Sequence, residues 1–487
     1  MTDAFSRRAF CHRLVGSAGA LIIGFDPEAR SWASDRTGRP LVDLPRLDGA
    51  LVYDGAVLDE VSQDNGRIVR RRPMAVLRPG GVDDVVAMVR YANTHGIRVA
   101  MRGQGHSSFG QAQVEAGVVI DSRPLRRILR VTDAEIDVEA GATWDEVAEA
   151  TLARGRTPPV TADTQVITVG GTLSVAGMGN NSHRFGAIID NVHELEVVTG
   201  DGRRLACSEK RERELFEMTL AGLGQCALIV RARLPLVEAP SEVALLDYDY
   251  ADLDTYLADQ RAVAREPARF DHVGGRITPR REDPPRLRLT TGTFVGPGSR
   301  GAVSMTRAAE LRGAKSTAER RISYLDYLHR TLPLIERGKA SGSWWWPSPS
   351  MMVFVADSDA RAFVSEVLSD PIQLEGTELF DGFMFFANPT RPFTRPLLPF
   401  PREAIAFQAW LIRRAPAERV PVLLEANLRL AERVRRRGGT RYAGYGAVPF
   451  TPADWANHYG PRTWARLAAA KRRFDPRRVL TPGPGMF

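Results

Sequence analysis

Two glycine-rich segments constrain this chain more than any other feature. The first, MRGQGHSSFGQ (Met101–Gln111), sets His106 among glycines and small polar residues. The second, DTQVITVGGTLSVAGMG (Asp163–Gly179), spaces Gly170, Gly171 and Gly177 among small side chains. Glycine tolerates positive φ and lets another backbone or a ligand come close. Consecutive backbone N–H groups in such a loop form a nest suited to an anion such as a pyrophosphate. Neither segment reads G-x-G-x-x-G, so the nicotinamide-type dinucleotide fold is not indicated. Two such segments with a strand-rich stretch between them imply one long, extended cofactor touched by both.

The sequence around them supports an α/β unit from about Arg72 to Leu236. GVDDVVAMVRYANTHG (Gly81–Gly96) has helical spacing, acids in its first turn and a glycine at its end. IRVAMRG (Ile97–Gly103) reads as a strand entering the histidine loop, and GVVIDS and EIDVEAGA as further strands. TWDEVAEATLARG opens with a capping box, Thr143 and Glu146. VHELEVVTGDGRRLACS reads as a hairpin turning at Gly200–Gly202. ELFEMTLAGLG (Glu214–Gly224) reads as a helix and QCALIVRARLPL (Gln225–Leu236) as a strand. After about Val237 the texture changes to strands mixed with helices at Tyr250–Arg265 and Arg419–Arg437, as in a separate domain. The chain ends in a helix and a Pro/Gly-punctuated tail that reads as pinned onto something. At 487 residues, two or three domains are expected.

The formal charge of +8 comes almost entirely from arginines scattered among acids, with only four lysines. No basic stripe interleaved with aromatics is present, so no nucleic-acid partner is expected. The three cysteines, Cys11, Cys207 and Cys226, lack metal-ligand spacing and imply no disulfide framework. SRRAFCHRL followed by LVGSAGALIIGF and SWA resembles a twin-arginine export signal over residues 1–33. The apolar run is too short for a membrane span. The expectation is therefore an exported, periplasmic or extracellular protein without a membrane anchor.

The motifs RGQGHSSFGQA, TVGGTLSVAG, NVHELEVVTGDG, AGLGQCALIVRARL and FDPRRVLTPG follow one another in an order that resembles a known family. The chain resembles the vanillyl-alcohol-oxidase and p-cresol-methylhydroxylase (PCMH-type) FAD-binding superfamily, and within it the cytokinin dehydrogenases. The resemblance implies an α+β fold, with a PCMH-type two-part FAD-binding domain split around a mixed substrate (cap) domain. Its first part would cover 34–236, the cap 237–440 and the return 441–487. It implies FAD bonded covalently through His106. Gly103, Gln104, Gly105, Ser107 and Gln111 would line the pyrophosphate and flavin. Thr168, Ser174, Met178, Ile229, Tyr445 and Thr481 would complete the cofactor site. No cysteine lies near the second glycine element, so a single attachment is expected. Pro484 replaces a glutamine of the family tail.

Flavin oxidation of an amine or alcohol needs little from the protein, because the cofactor takes the hydride. The protein must hold the C–H in place and remove one proton, for which one carboxylate suffices. By the resemblance that carboxylate is Asp163, partly buried and with a shifted pKa. By the same resemblance Trp344, in WWWPSPS (Trp344–Ser350), would line the substrate pocket, where an aromatic wall suits a flat ring. Gly274 falls where plant cytokinin dehydrogenases carry an adenine-holding glutamate, with Asp271 nearby. The resemblance thus implies a cytokinin dehydrogenase-like oxidation of N6-alkenyl adenines. The alternatives are an oxidase of another small alcohol, sugar or amine, and a non-catalytic flavin-binding protein. A small-molecule substrate is expected and no metal. Nothing in the sequence specifies the electron acceptor or the oligomeric state.

Overall fold

The computed structural model describes residues 22–26, 31–34, 42–179, 181–280, 283–296, 311, 314–316 and 319–487. The twin arginines Arg7 and Arg8, and most of the expected export segment, lie outside the described residues.

Three sheets position the site. The first has four strands in the order Ala50–Val52, Ala75–Arg78, Val118–Asp121, Val99–Arg102. The last three are parallel, which requires a crossover, and the helix Val82–His95 supplies it. Gly96 stops that helix in the left-handed region at φ 68°. Asp84, in its first turn, accepts hydrogen bonds from Asp48, Gly49 and Gly80 backbone N–H groups. The second sheet is antiparallel, ordered Arg204–Cys207, Glu194–Thr199, Ala227–Pro235, Glu135–Glu139, Ile128–Val131. Its hairpin turns where expected, with Gly202 at φ 76°. The capping box on the helix Trp144–Leu152 is formed in both directions.

The third sheet, nine-stranded among the described residues, is built from strands between Glu242 and Gly446. Tyr250 pairs with Leu287 as the last residue of the strand Glu242–Tyr250, so the helix expected from Tyr250 starts at Leu253. The strand Thr440–Gly446 pairs with Met351–Ala356 in this sheet. The boundary expected after residue 440 therefore falls at the start of a strand of the large sheet.

The C-terminal helix Pro452–Phe474 returns to the first half of the chain. It kinks at Gly460 (φ 73°), before Pro461. Its Leu467, Ala470 and Phe474 share one buried cluster with Leu215 and Phe216. At its C-terminal end, Lys471 in the last turn and Asp475 at the cap form an ion pair at 2.7 Å, the two side chains 3% and 0% exposed. Lys471 Nζ also donates to the Gln225 and Leu480 carbonyls, and Asp475 accepts from Val479 and Leu480 N–H. Removing one partner of such a buried pair costs about 3–5 kcal/mol. The tail is pinned in this way, and Thr481 N–H donates to the Val99 carbonyl at 2.7 Å, beside the first sheet. Cys207 and Cys226 are buried free thiols, each pushed up to about 12 by burial.

Candidate active site

The two glycine segments meet. Gly103 lies so close to Thr168 that a Cβ on it would sit 2.2 Å from Thr168 Oγ1. Gly105 holds φ 67°, and a Cβ there would run into the Arg102 guanidinium. Thr168 caps the short helix Val169–Ser174, accepting from Gly171 N–H at 3.3 Å. Glycines are thus required at the junction itself as well as wherever a ligand approaches.

A cleft enclosing about 1490 Å³ of atom-free space, part of it open to solvent, runs along this junction. Gly103, Gln104, Gly105, His106, Ser107 and Gln111 line it from the first segment. Asp163, Thr168, Ser174 and Met178 line it from the second, and Ile229, Tyr445 and Thr481 complete the expected set. The large sheet adds Met352, Gln408 and Trp410. The described residues contain no cluster able to hold a metal ion, and no helix among them is long and apolar enough to cross a membrane.

His106 is half-buried, its ring 6.3 Å from that of Tyr445. Enclosure by the surrounding protein, reinforced by the charge of Arg414, pushes its imidazole down to about 4, so it is neutral at ordinary pH. Its loop is tied down by Asp64. That carboxylate accepts from the N–H groups of Gly66, Arg67 and Gly110 and from Ser107 Oγ. Asn65 N–H donates to the Gly105 carbonyl at 2.8 Å. Arg414 reaches the same turn from the large sheet, donating to Asn65 O at 3.1 Å and Asn65 Oδ1 at 3.0 Å. Asp163 is 20% exposed and ion-paired with Arg330, and Thr331 Oγ1 donates to its backbone carbonyl at 2.9 Å. Arg330 in turn lies 4.4 Å over the Tyr327 ring.

The cleft fits FAD on its own chemistry. It is floored by glycines from both segments, with Ala112, Ala140 and Ala162 beside them, and entered by backbone that can approach a pyrophosphate. Thr481 Oγ1 and Trp410 Nε1 belong to wall residues and are buried without a hydrogen-bond partner among the described residues, as expected of a wall that meets a polar ligand.

Residues 73–208 match the family described as "FAD binding domain", and residues 303–487 match "Cytokinin dehydrogenase 1, FAD and cytokinin binding". The chain is 34% identical, over 90% of its length and 99% of the relative's, to "Uncharacterized oxidoreductase ORF5 in fasciation locus" of Rhodococcoides fascians. It is 31% identical to cytokinin dehydrogenase 8 of Oryza sativa, over 88% of this chain and 90% of that one. Against cytokinin dehydrogenase 1 of Arabidopsis thaliana it is 29% identical over 91% and 83%. The chain belongs to the cytokinin dehydrogenase family. It is an FAD-dependent oxidoreductase, and the non-catalytic alternative falls.

Two residues expected in the substrate pocket lie elsewhere. Trp344 does not line the cleft. Its ring packs 4.6 Å from the Arg414 guanidinium, behind the histidine loop, while Trp345 and Trp346 are about half exposed. Adjacent residues diverge in direction, and an arginine rather than a ligand took the inward ring. Gly274 sits mid-strand in His272–Thr278, paired with Thr290, away from the cleft. Asp271 is also accounted for, by Arg184 and by Phe294 N–H at 2.8 Å. At the family's altered tail, the Pro484 carbonyl accepts a 3.0 Å hydrogen bond from Trp455 Nε1, so this position contributes through its backbone.

The sequence reading missed Asp64, Arg330, Gln408, Trp410 and Arg414. Asp64 and Arg414 act on the histidine loop from 43 and 349 positions away along the chain, measured to Ser107 and Asn65. Strand periodicity around IAFQAWL could have flagged Gln408, a polar residue within an apolar run.

Proposed function

We propose that this protein is an exported, cytokinin dehydrogenase-like enzyme that oxidises the N6 side-chain amine of alkenyl adenines, with FAD held in a two-part domain and bonded to His106. The observation that carries the reading is one cleft bringing together the neutral His106, the carboxylate of Asp163 and both glycine segments. Bound FAD would supply the hydride acceptor for the carbon next to N6. Asp163 would take the N6 proton, its orientation set by Arg330 and Thr331. The resulting imine is hydrolysed by water to adenine and an aldehyde. Gly103, Gln104, Gly105, Ser107 and Gln111 would hold the cofactor on one side, and Thr168, Ser174, Met178, Ile229, Tyr445 and Thr481 on the other. A single covalent bond suits export, because cofactor lost outside the cell could not be replaced. Export itself rests on the twin-arginine pattern in residues 1–33.

A second reading, oxidation of a different small alcohol, sugar or amine, is favoured by a cleft lining that, among the described residues, offers a purine no carboxylate besides Asp163. Mixing the protein with isopentenyladenine in the absence of oxygen separates the two. Rapid bleaching of the flavin absorbance is expected. A spectrum that stays oxidised would remove N6-alkenyl adenines and favour the second reading.

A further inference from the structure

The wall that the large sheet gives to the cleft contains a polar group with no task in the fold. Gln408 sits mid-strand in Ile405–Leu411, opposite Phe354 on one neighbouring strand and Phe386 on the other. It is 5% exposed and lines the cleft. The other six buried glutamines each use their side-chain amide within the protein. Gln111 accepts from Phe109 N–H, and Gln113 and Gln165 donate to carbonyls. Gln225 bonds the Thr481 carbonyl, Gln260 accepts from Ala387 N–H, and Gln373 accepts from Arg413. Gln408 alone among these has no side-chain hydrogen bond to a described residue. Its amide atoms are not sealed inside the protein but open onto the cleft, so a polar group set among phenylalanines is left available to a partner from outside the chain.

Its neighbours indicate the kind of partner. Side chains two apart on a strand share a face, so Trp410 stands beside Gln408, with Met352 paired opposite Trp410. The Trp410 ring meets Tyr445 edge-on at 5.2 Å, and Tyr445 is 6.3 Å from His106. The slot is therefore aromatic and apolar, and it carries one neutral amide. An amide presents an N–H and a C=O side by side in one plane. That pair matches the adjacent acceptor and donor on the edge of adenine.

We propose that Gln408 is a specificity-determining residue that reads the polar edge of a neutral, planar nitrogen heterocycle. The assignment rests on the adenine reading given under Proposed function. Gly274, away from the cleft, has no side chain with which to do this.

The test is titration of the flavin-loaded protein with adenine, and with purine, which lacks the amino group, followed by calorimetry. Wild type is expected to bind adenine more tightly than purine. Gln408→Leu should weaken adenine about 10- to 100-fold and erase the preference over purine, with flavin content unchanged. Gln408→Glu, which keeps the size but loses the N–H donor, should also lose the preference and serves if the leucine variant does not fold. Unchanged adenine affinity and preference in either folded variant would overturn the role of Gln408 alone. Failure of the wild type to bind adenine would overturn the adenine reading beneath it.

Discussion

Replacing Asp163 by asparagine is expected to slow flavin reduction by an amine substrate about 10²- to 10⁴-fold, the usual contribution of a positioned general base. The amide keeps the shape of the carboxylate and can still accept from Arg330, so the local fold should survive. What it loses is the capacity to take a proton. Asp163 is suited to that role because it is 20% exposed on the cleft wall yet held on both sides, by Arg330 through its side chain and by Thr331 through its backbone. Stopped-flow absorbance without oxygen measures the step directly, and the flavin spectrum before mixing reports cofactor content. A large fall in rate with full flavin content is the expected result. An unchanged rate would remove Asp163 as the proton acceptor and move the search to another group.

The second large effect is a pH-dependent one at Asp64. Burial pushes this carboxyl up to about 6, against the opposing pull of its hydrogen bonds from Gly110 and Ser107 and the charge of Arg102. A carboxyl whose folded pKa lies above its unfolded value stabilises the fold fully below about 3.8, and that contribution is lost as pH rises through about 6. Two pKa units correspond to roughly 3 kcal/mol at most. Asp64→Asn cannot ionise, so the difference in melting temperature between wild type and variant should shift against wild type as pH rises from 4 to 7. A difference that stays constant across that range would contradict the assignment.

What was legible in the sequence was whatever a few adjacent residues decide. Gly96 ends its helix, Thr143 and Glu146 form their box, and the Gly200–Gly202 turn closes its hairpin, each within one turn of chain. The glycine segments were legible for the same reason, since close approach excludes side chains whatever the partner. Their contact at Gly103 and Thr168 was implied only through a shared ligand, and the structure adds a direct steric reason. Residues whose roles depend on distant chain were not legible. Arg414 is one of many arginines in the sequence until Asn65 is placed beside it. The resemblance puts Trp344 on the pocket wall, but a run of three tryptophans gives no direction to any one ring, and the Arg414 guanidinium takes this one. Tyr250 was read into a helix because its pairing with Leu287 lies across the sheet.

The central claim is that the cleft holds FAD against His106, and locating the flavin tests it most directly. The protein is purified, denatured and digested, and the flavin-bearing peptide is identified by fluorescence and mass. The account predicts the flavin on the peptide that contains His106. It also predicts that His106→Ala still binds flavin but releases it on denaturation. Flavin attached to a different residue, flavin freed from the denatured wild type, or no flavin in protein made with ample FAD would contradict it.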